Sequence, residues 1–218
     1  MTNILPTNIP IPVEAAIASY DYYDIAEGTG IKKFYGYVTK DSAGLKYYLG
    51  IDAVYSSLIE TVTAAAEYPG YNIQLDLDFD LTPFNLPRII KGTALINQAM
   101  HVFVGTKPSV NAYIIYKVRK WDGTTETEIA SIQTETITGI AEKIFSIPIT
   151  IPKTHFKKGE ILRLSVQIYA AIGDPGTGTG GGTVIGHDPK NRDGTYLTPS
   201  TDDTITLLEF YCPFSIDL

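Results

Sequence analysis

Hydrophobic and polar positions alternate without interruption between residues 72 and 81. The apolar positions share one face of an extended chain and the polar positions share the other: Ile73, Leu75, Leu77, Phe79 and Leu81 against Asn72, Gln74, Asp76, Asp78 and Asp80. Because successive side chains of a β-strand point to opposite faces, this pattern predicts a half-buried strand with a solvated acidic face.

Similar patterns predict further strands over residues 31–38, 93–104, 110–121, 124–132, 143–151, 160–171 and 204–213. Clusters of Gly, Pro, Asn and Asp lie between these segments, and such residues favour tight turns. Residues 51–66 are ambiguous, because their apolar positions fit the spacing of a helix as well as that of a strand. Thr61 and Thr63 are poor helix formers, so a strand is favoured there.

The dipeptide Asp122-Gly123 lies between two predicted strands and is a strong signal for a β-hairpin. A two-residue loop predicts three cross-strand pairs: Arg119 with Glu126, Lys117 with Glu128, and Tyr116 with Ile129. Directly opposed pairs of this kind contribute roughly 0.2–1 kcal/mol each. A slip of one residue would lose all of them, so these pairs predict the register of the hairpin.

The whole chain is rich in β-branched residues, since isoleucine, valine and threonine make up 63 of its 218 residues. Many short strands without βαβ alternation indicate an all-β sandwich or barrel. We expect a single domain over residues 14–218, preceded by an extended N-terminal arm over residues 1–13. The arm is predicted because Pro6, Pro10 and Pro12 remove hydrogen-bond donors and favour an extended chain.

The arm and the tyrosines behind it are the expected interface of the protein. Tyrosine suits interfaces because it joins an apolar ring to a polar hydroxyl group. The arm is expected to lie against a neighbouring subunit or along its own domain, and the sequence leaves both open. The predicted interface residues are Ile4, Leu5, Ile9, Ile11, Val13, Tyr20, Tyr22 and Tyr23.

Charge and composition narrow the classes of partner. The 17 basic and 24 acidic residues give a net charge of −7, which argues against direct binding to nucleic acid or to an anionic membrane. No apolar run approaches the ~18 residues of a membrane span, and the first residues lack the features of a secretion signal. The single Cys212 forms no internal disulfide and is expected to pack as a small apolar group.

Familiar chemical motifs are weak in this chain. Gly176, Gly178 and Gly181 match a phosphate-binding glycine pattern, but a short β run follows them where the chemistry requires a helix. The three histidines are His101 in a predicted strand, His155 in a predicted turn and His187 beside Asp188, and they lack metal-ligand spacing. We therefore expect no catalytic residue and no cofactor, and we expect that the protein is not an enzyme.

Asp76, Asp78 and Asp80 are the candidate metal ligands of the sequence. Three carboxylates on one strand face repel each other unless water, a positive partner or a cation such as Ca²⁺ compensates their charge. Oxygens from Asp188 or from Asp202-Asp203 would complete such a site. A solvated acidic face without a metal is the favoured interpretation.

Four segments carry a resemblance to a known class of proteins. They are residues 78–94 (DFDLTPFNLPRIIKGTA), 116–134 (YKVRKWDGTTETEIASIQT), 156–164 (FKKGEILRL) and 182–194 (GTVIGHDPKNRDG). These segments resemble parts of virion structural proteins of tailed viruses. The resemblance implies an antiparallel β-sandwich, jelly-roll in type, that is assembled into a virion in the host cytoplasm and carries no catalytic residues.

The negative charge then favours the outer surface of a DNA-filled particle over its inner surface. The expected function is that of an outer-surface capsid decoration (cement) protein, which stabilises the shell through subunit contacts. Its expected partners are other copies of itself, as in a trimer, and the major capsid or tail proteins. The alternatives are a tail or neck structural protein and a carbohydrate-binding β-sandwich used in host attachment.

Overall fold

The computed structural model describes residues 29–64, 70–105, 109–172, 181–190, 192 and 206–215. The described residues form strands and loops, and none of them forms a helix that would cross a membrane. The strands are β1 (Thr29–Asp41), β2 (Gly44–Gly50), β3 (Glu60–Ala64), β4 (Asn72–Leu81), β5 (Arg88–Phe103), β6 (Val110–Trp121), β7 (Glu126–Gln133), β8 (Ile137–Thr138), β9 (Ala141–Phe156), β10 (Ile161–Ile172), β11 (Gly182–Gly186) and β12 (Leu208–Ser215). The predicted all-β fold class is confirmed.

The strands form one hydrogen-bonded sheet in the order β3-β11-β5-β12-β1-β2-β4-β10-β6-β7, with β9 paired to β5 and β8 to β6. The pairs are antiparallel except for β2 and β4, which run parallel and meet at only two positions, Tyr48 with Asp80 and Leu49 with Leu81. The sheet is therefore mixed, whereas the sequence predicted an antiparallel one. The jelly-roll connectivity stays a prediction.

The two ends of this sheet face each other across one hydrophobic core. Tyr116 of β6 donates a hydrogen bond to Oε1 of Gln98 on β5 at 2.8 Å, although the two strands are far apart in the sheet order. Both side chains are fully buried. The largest other fully buried side chains come from strands along the whole sheet order: Phe79, Phe145, Phe156, Phe210, Ile90, Ile96, Met100, Ile114, Ile149, Ile151 and Leu162.

Strand positions follow the sequence patterns closely where alternation is regular. The segments 72–81 and 110–121 have the predicted bounds. The ambiguous segment 51–66 contains a strand over Glu60–Ala64, preceded by an irregular stretch. Two short strands, β2 and β8, were not predicted, and His155 lies within β9 where a turn was expected. Residues 1–28, which include the predicted arm and every predicted interface residue, lie outside the described part of the chain.

The hairpin at Asp122 exists, but its loop is longer than predicted. Strand β6 ends at Trp121 and β7 begins at Glu126, which leaves a loop of residues 122–125. The Oδ1 atom of Asp122 accepts hydrogen bonds from the backbone N–H groups of Thr124 (2.8 Å) and Thr125 (2.7 Å). These bonds to the aspartate make the wider loop stable, because its backbone donors are satisfied.

The longer loop changes the register of the hairpin by two residues. Arg119 lies directly opposite Glu128, not opposite Glu126 as predicted, and a bulge at Val118 shifts the later pairs further, so that Tyr116 lies opposite Ile132. A shift of two residues keeps each side chain on the same face. The predicted ion pairs therefore still form, diagonally: Arg119 with Glu126 at 2.8 Å and Lys117 with Glu128 at 3.3 Å.

Candidate functional site

An apolar groove of about 780 Å³ opens beside the middle strands of the sheet. It forms beside the short parallel contact of β2 and β4, where the chain leaves both strands: Leu49 and Gly50 line it from β2, and Leu81 lines it from β4. Its aromatic walls are Phe34, Tyr37, Phe84 and Phe214. The groove thus lies where both strands end.

The mouth of the groove exposes apolar side chains to solvent. Ile31, Ile51, Val54 and Leu86 all line it, and between 39 % and 60 % of each is exposed. Single exposed apolar residues are ordinary, but several in one concavity indicate a binding surface. A pocket of this size and lining is typical of sites for small organic ligands.

Charged side chains are few around the groove. Its lining includes Lys32 and Arg88 on the positive side and Asp52 on the negative side. Asp52 belongs to the irregular segment 51–59 that follows β2. The rim therefore offers both an anionic and a cationic contact to a ligand whose apolar part enters the groove.

A glycine beside the groove keeps its wall in place. A Cβ atom at Gly50 would lie 2.8 Å from Cε1 of Tyr37, which is closer than such atoms approach in proteins. The Tyr37 ring stacks on Tyr48, with ring centroids 5.7 Å apart. Glycine at position 50 therefore allows the aromatic ring to form part of the lining.

The segment after β2 also covers a buried polar cluster. Ser56 anchors this segment to β1, because its Oγ accepts a hydrogen bond from the Val38 N–H at 2.8 Å and donates one to the Leu58 carbonyl at 2.5 Å. Arg192 donates a hydrogen bond from its guanidinium group to the Ser56 carbonyl at 2.6 Å. The same segment thus contributes Ile51, Asp52 and Val54 to the groove and Ser56 to the cluster.

Asp188 is the charged centre of this cluster. Its side chain is fully buried, and its carboxylate accepts hydrogen bonds from Nε of Arg192 at 2.7 Å and from the Arg192 backbone N–H at 3.0 Å. Burial alone would raise the pKa of Asp188, but the hydrogen bonds and charge of Arg192 outweigh that effect and lower it. The Arg192 guanidinium and Lys190 also lie over the ring of the exposed Tyr55. Asp188 therefore acts as a structural anion that holds the end of the chain segment beyond β11.

His187 lies next to Asp188 and is buried among aromatic rings. Its Nε2 atom is 2.8 Å from Oγ1 of Thr61, and the rings of Tyr47 and Phe79 lie within 6.2 Å of the imidazole centre. Burial lowers the pKa of His187 to about 4, so the imidazole is neutral at pH 7. A hydroxyl group bonded to an imidazole is the arrangement of a nucleophile and its base, but a base of such low pKa removes a proton weakly.

The acidic face of β4 faces solvent, as the sequence predicted, and its carboxylates are also paired with groups on β10. Each aspartate meets a partner on β10 in the observed register: Asp76 accepts from Gln167 Nε2 at 2.9 Å, Asp78 from Ser165 Oγ at 2.5 Å, and Asp80 from Arg163 Nε at 2.6 Å. The three candidate metal ligands are thus engaged by protein groups. Across the described ranges, no cluster of three or more His, Cys, Asp or Glu is placed to hold a metal ion.

Arg163 joins this acidic face to the hairpin. Its guanidinium contacts both carboxylate oxygens of Asp80, one of Asp78 at 3.2 Å and one of Glu126 at 2.9 Å, and it lies 5.1 Å from the ring centre of Trp121. The hydrogen bonds to Asp80 raise the pKa of Arg163. One cation therefore links β4, β10 and the β6–β7 hairpin on the outer face.

The remaining predicted residues have structural positions. Cys212 is fully buried in β12, and burial raises the pKa of its thiol, so its predicted packing role is confirmed. His101 lies in a strand, β5, as predicted; it is buried there, and burial lowers its pKa. Gly181 precedes β11, which confirms the β run after the glycine pattern, while Gly176 and Gly178 lie outside the described residues. Sequence reasoning missed the groove, since its residues come from four distant segments without a shared pattern.

Solved structures of hydrolases are similar in fold to this chain. Neither a protein-family model nor a curated protein matches the sequence. The solved structure of an α-amino acid ester hydrolase is similar at a TM-score of 0.51 and 11 % identity, over 84 % of this chain and 36 % of that one. A CocE/NonD family hydrolase from Staphylococcus aureus matches at a TM-score of 0.44 and 15 % identity, over 86 % of this chain and 37 % of that one. This chain thus spans little more than a third of the length of these hydrolases, and the likeness is one of fold.

These comparisons correct the functional expectations drawn from the sequence. The resemblance to virion structural proteins is wrong, and with it the capsid-decoration role, its tail, neck and host-attachment alternatives, and the expectation that the protein is not an enzyme. A structure of infectious bursal disease virus also matches, but its TM-score of 0.25 carries no argument. Segment 116–134, for example, is a strand–turn–strand sequence, and turn chemistry of this kind recurs in unrelated antiparallel sheets.

Proposed function

We propose that the chain takes part in the hydrolysis of amino acid esters or related acyl compounds, and that the groove binds the apolar part of the substrate. The observation that carries the proposal is the groove itself, with its aromatic walls and its mixed rim. The fold likeness to an α-amino acid ester hydrolase supports the choice of substrate class.

The groove suits an amino acid ester in its chemistry. An aromatic or aliphatic side chain entering between Phe34, Phe84 and Phe214 would be removed from water, which stabilises binding by roughly 1.5–3 kcal/mol for a fully buried side chain. The ammonium group of the same substrate would meet the carboxylate of Asp52 at the rim. The walls of the groove would therefore contact the apolar part of the substrate, and Asp52 would contact its ammonium group.

We assign substrate binding to the groove, and we assign no bond-breaking step to Thr61 or His187. The pKa of about 4 makes His187 a weak base, and its neighbour Asp188 has its carboxylate engaged by Arg192. In addition, nearly two thirds of each similar hydrolase has no counterpart in this chain.

Titration of the purified chain with L-phenylalanine methyl ester, followed by calorimetry and by NMR shifts, tests this function. We expect saturable binding with a Kd on the order of 1 mM, which corresponds to about −4 kcal/mol. Val54→Asp at the mouth of the groove should abolish the binding. Val62→Asp is the matched control, because Val62 has a similar exposure (42 % against 39 %) but lies on β3 and does not line the groove.

A second binding experiment separates the charged contact at Asp52 from the apolar contact in the groove. Asp52→Asn should weaken binding of the amino acid ester and leave binding of its N-acetyl derivative, which lacks the ammonium charge, unchanged. Release of the free acid is followed in the same samples. Absence of saturable binding, or equal binding by the Val54→Asp variant and the native chain, would overturn the proposal.

A further inference from the structure

One peptide group of the irregular segment after β2 is held from both sides. The Ser57 N–H donates a hydrogen bond to the Val38 carbonyl on β1 at 2.7 Å. The Ser56 carbonyl belongs to the same peptide group, and it accepts a hydrogen bond from Nη2 of Arg192 at 2.6 Å. The Ser56 hydroxyl adds a third attachment, to the Val38 N–H. This peptide group is therefore fixed between β1 and the chain beyond β11.

Arg192 can hold the peptide group because its own guanidinium is fixed. It donates hydrogen bonds to both carboxylate oxygens of the buried Asp188, from Nε at 2.7 Å and from Nη2 at 3.3 Å. A planar guanidinium has enough donors to bind this carboxylate and the Ser56 carbonyl together, whereas an ammonium group lacks that fork geometry. The guanidinium also lies 5.3 Å from the ring centre of Tyr55. Arg192 thus contacts two consecutive residues of the segment.

The part of the segment that lines the groove comes directly before the held peptide group. Ile51, Asp52 and Val54 line the groove, and Val54 is only two positions from Ser56. The Val54 N–H donates to the Asp52 carbonyl at 3.1 Å, so these two residues belong to one tight turn. Residues 51–54 lie outside the strands, so their position depends on where the segment is attached.

We propose that Arg192 is a positioning residue of the groove, because by holding the peptide group between Ser56 and Ser57 it keeps Asp52 and Val54 in the lining. The effect on ligand binding rests on the proposed function, whereas the effect on the position of the segment does not. Two measurements on the full chain separate these effects, one without ligand and one with it.

Arg192→Lys and Lys190→Arg form a matched pair of variants. Both exchanges keep the net charge, and both side chains lie over the Tyr55 ring. Arg192→Lys keeps a cation beside the buried Asp188 but loses the guanidinium that binds the Ser56 carbonyl at the same time. Lys190→Arg leaves that guanidinium in place. Ser56→Ala is a second disrupting variant, since it removes the hydroxyl attachment to β1 and leaves the ion pair untouched.

Amide hydrogen exchange followed by NMR is the measurement without ligand. In both disrupting variants we expect the Ser57 and Val54 amides to exchange about ten-fold faster than in the native chain. Lys190→Arg should leave both rates unchanged. The Thr134 amide, which donates to a carbonyl of β6 at 2.9 Å, is the internal reference and should keep its rate in all three variants.

Titration with L-phenylalanine methyl ester and with its N-acetyl derivative is the measurement with ligand. Arg192→Lys should weaken binding of the ester about five- to ten-fold and binding of the N-acetyl derivative at most about two-fold. The reason for the difference is that the ammonium contact depends on Asp52, whereas the aromatic walls belong to other segments. A general loss of stability would weaken both ligands equally. Lys190→Arg should bind both ligands like the native chain.

The inference fails if the Val54 amide of Arg192→Lys exchanges at the native rate, because the groove wall then does not depend on Arg192. It also fails if Lys190→Arg accelerates the same amides, or if Arg192→Lys weakens both ligands equally. Should Arg192→Lys not fold, the Val54 exchange rate of Ser56→Ala decides in its place. If the native chain binds no ester, the proposed function is wrong, and the exchange rates still decide the positioning role.

Discussion

His187 is a fully buried residue with a titratable side chain, so this one residue makes the stability of the fold depend on pH. Burial among Tyr47 and Phe79 disfavours its charged form and lowers the pKa of the imidazole from 6.5 to about 4. The unfolded chain therefore binds this proton at a higher pH than the folded chain does. The stabilising effect of neutral His187 is fully present above pH 6.5 and is lost as the pH falls towards 4.

We predict that this residue alone reduces the free energy of unfolding by about 2 kcal/mol between pH 7 and pH 5. Urea unfolding at the two pH values measures the change. His187→Gln retains a hydrogen-bonding group near Thr61 but does not titrate, so it should remove this part of the pH dependence. His155→Gln, a change at an exposed position of β9, is the control and should leave the native profile unchanged, while an unaltered profile in His187→Gln would contradict the prediction.

At the scale of elements, the outer face of β4 and β10 is held by a register of matched polar pairs. Asp76, Asp78 and Asp80 lie directly opposite Gln167, Ser165 and Arg163. The Arg163–Asp80 pair is bidentate and both side chains are largely shielded, with 15 % and 26 % exposed. Charge-assisted bonds of this geometry are stronger than those of exposed ion pairs.

A double-mutant cycle on Arg163→Met and Asp80→Asn should give a coupling energy of about 1–2 kcal/mol in the free energy of unfolding. The matched cycle on Lys46 and Asp41, an exposed pair in the β1–β2 hairpin, should give a smaller coupling that 0.5 M salt abolishes. Chemical denaturation of the four proteins in each cycle measures both. Equal coupling in the two cycles would show that shielding by the sheet does not strengthen the Arg163 pair.

The strands themselves were predictable where alternation alone decides them. Segments 72–81 and 110–121 have the predicted bounds because apolar and polar residues alternate along each of them. Strand β6 buries its apolar face from Val110 to Val118, and β4 buries Leu77 and Phe79. The register of the hairpin was not predictable from charge. Arg119 forms an ion pair with Glu126 in the observed diagonal arrangement, and it would form the same pair if the two residues lay directly opposite each other. Likewise the acidic residues gave no sign of their partners, because Asp80 and Arg163 are 83 positions apart in sequence.

The candidate site was less predictable than the fold for a related reason. The groove lies beside a parallel contact of only two residue pairs between β2 and β4, and β2 carried no recognisable strand pattern. Its walls then combine Phe34, Phe84 and Phe214, which no local spacing brings together. His187 was visible in the sequence, but its burial depends on Tyr47 and Phe79 from other strands.

At the scale of the whole molecule, the sheet closes over its core through a polar contact between its two ends. The hydroxyl group of Tyr116 on β6 donates a hydrogen bond to Oε1 of Gln98 on β5, and Nε2 of Gln98 donates one to the Gly186 carbonyl at the end of β11. Burial of Tyr116 raises the pKa of its phenol, so it remains a donor at any physiological pH. Three strands from opposite ends of the sheet order are thereby joined inside an otherwise apolar core.

Tyr116→Phe should lower the free energy of unfolding by about 1–3 kcal/mol, because it leaves the buried Oε1 of Gln98 without its donor. Tyr113→Phe, the same change on the outer face of β6, is the control and should have little effect. The double change Tyr116→Phe with Gln98→Met removes the unpaired acceptor as well, so it should recover part of the loss. If instead Tyr116→Phe is neutral in urea unfolding, the packing of apolar side chains alone holds the two ends of the sheet together.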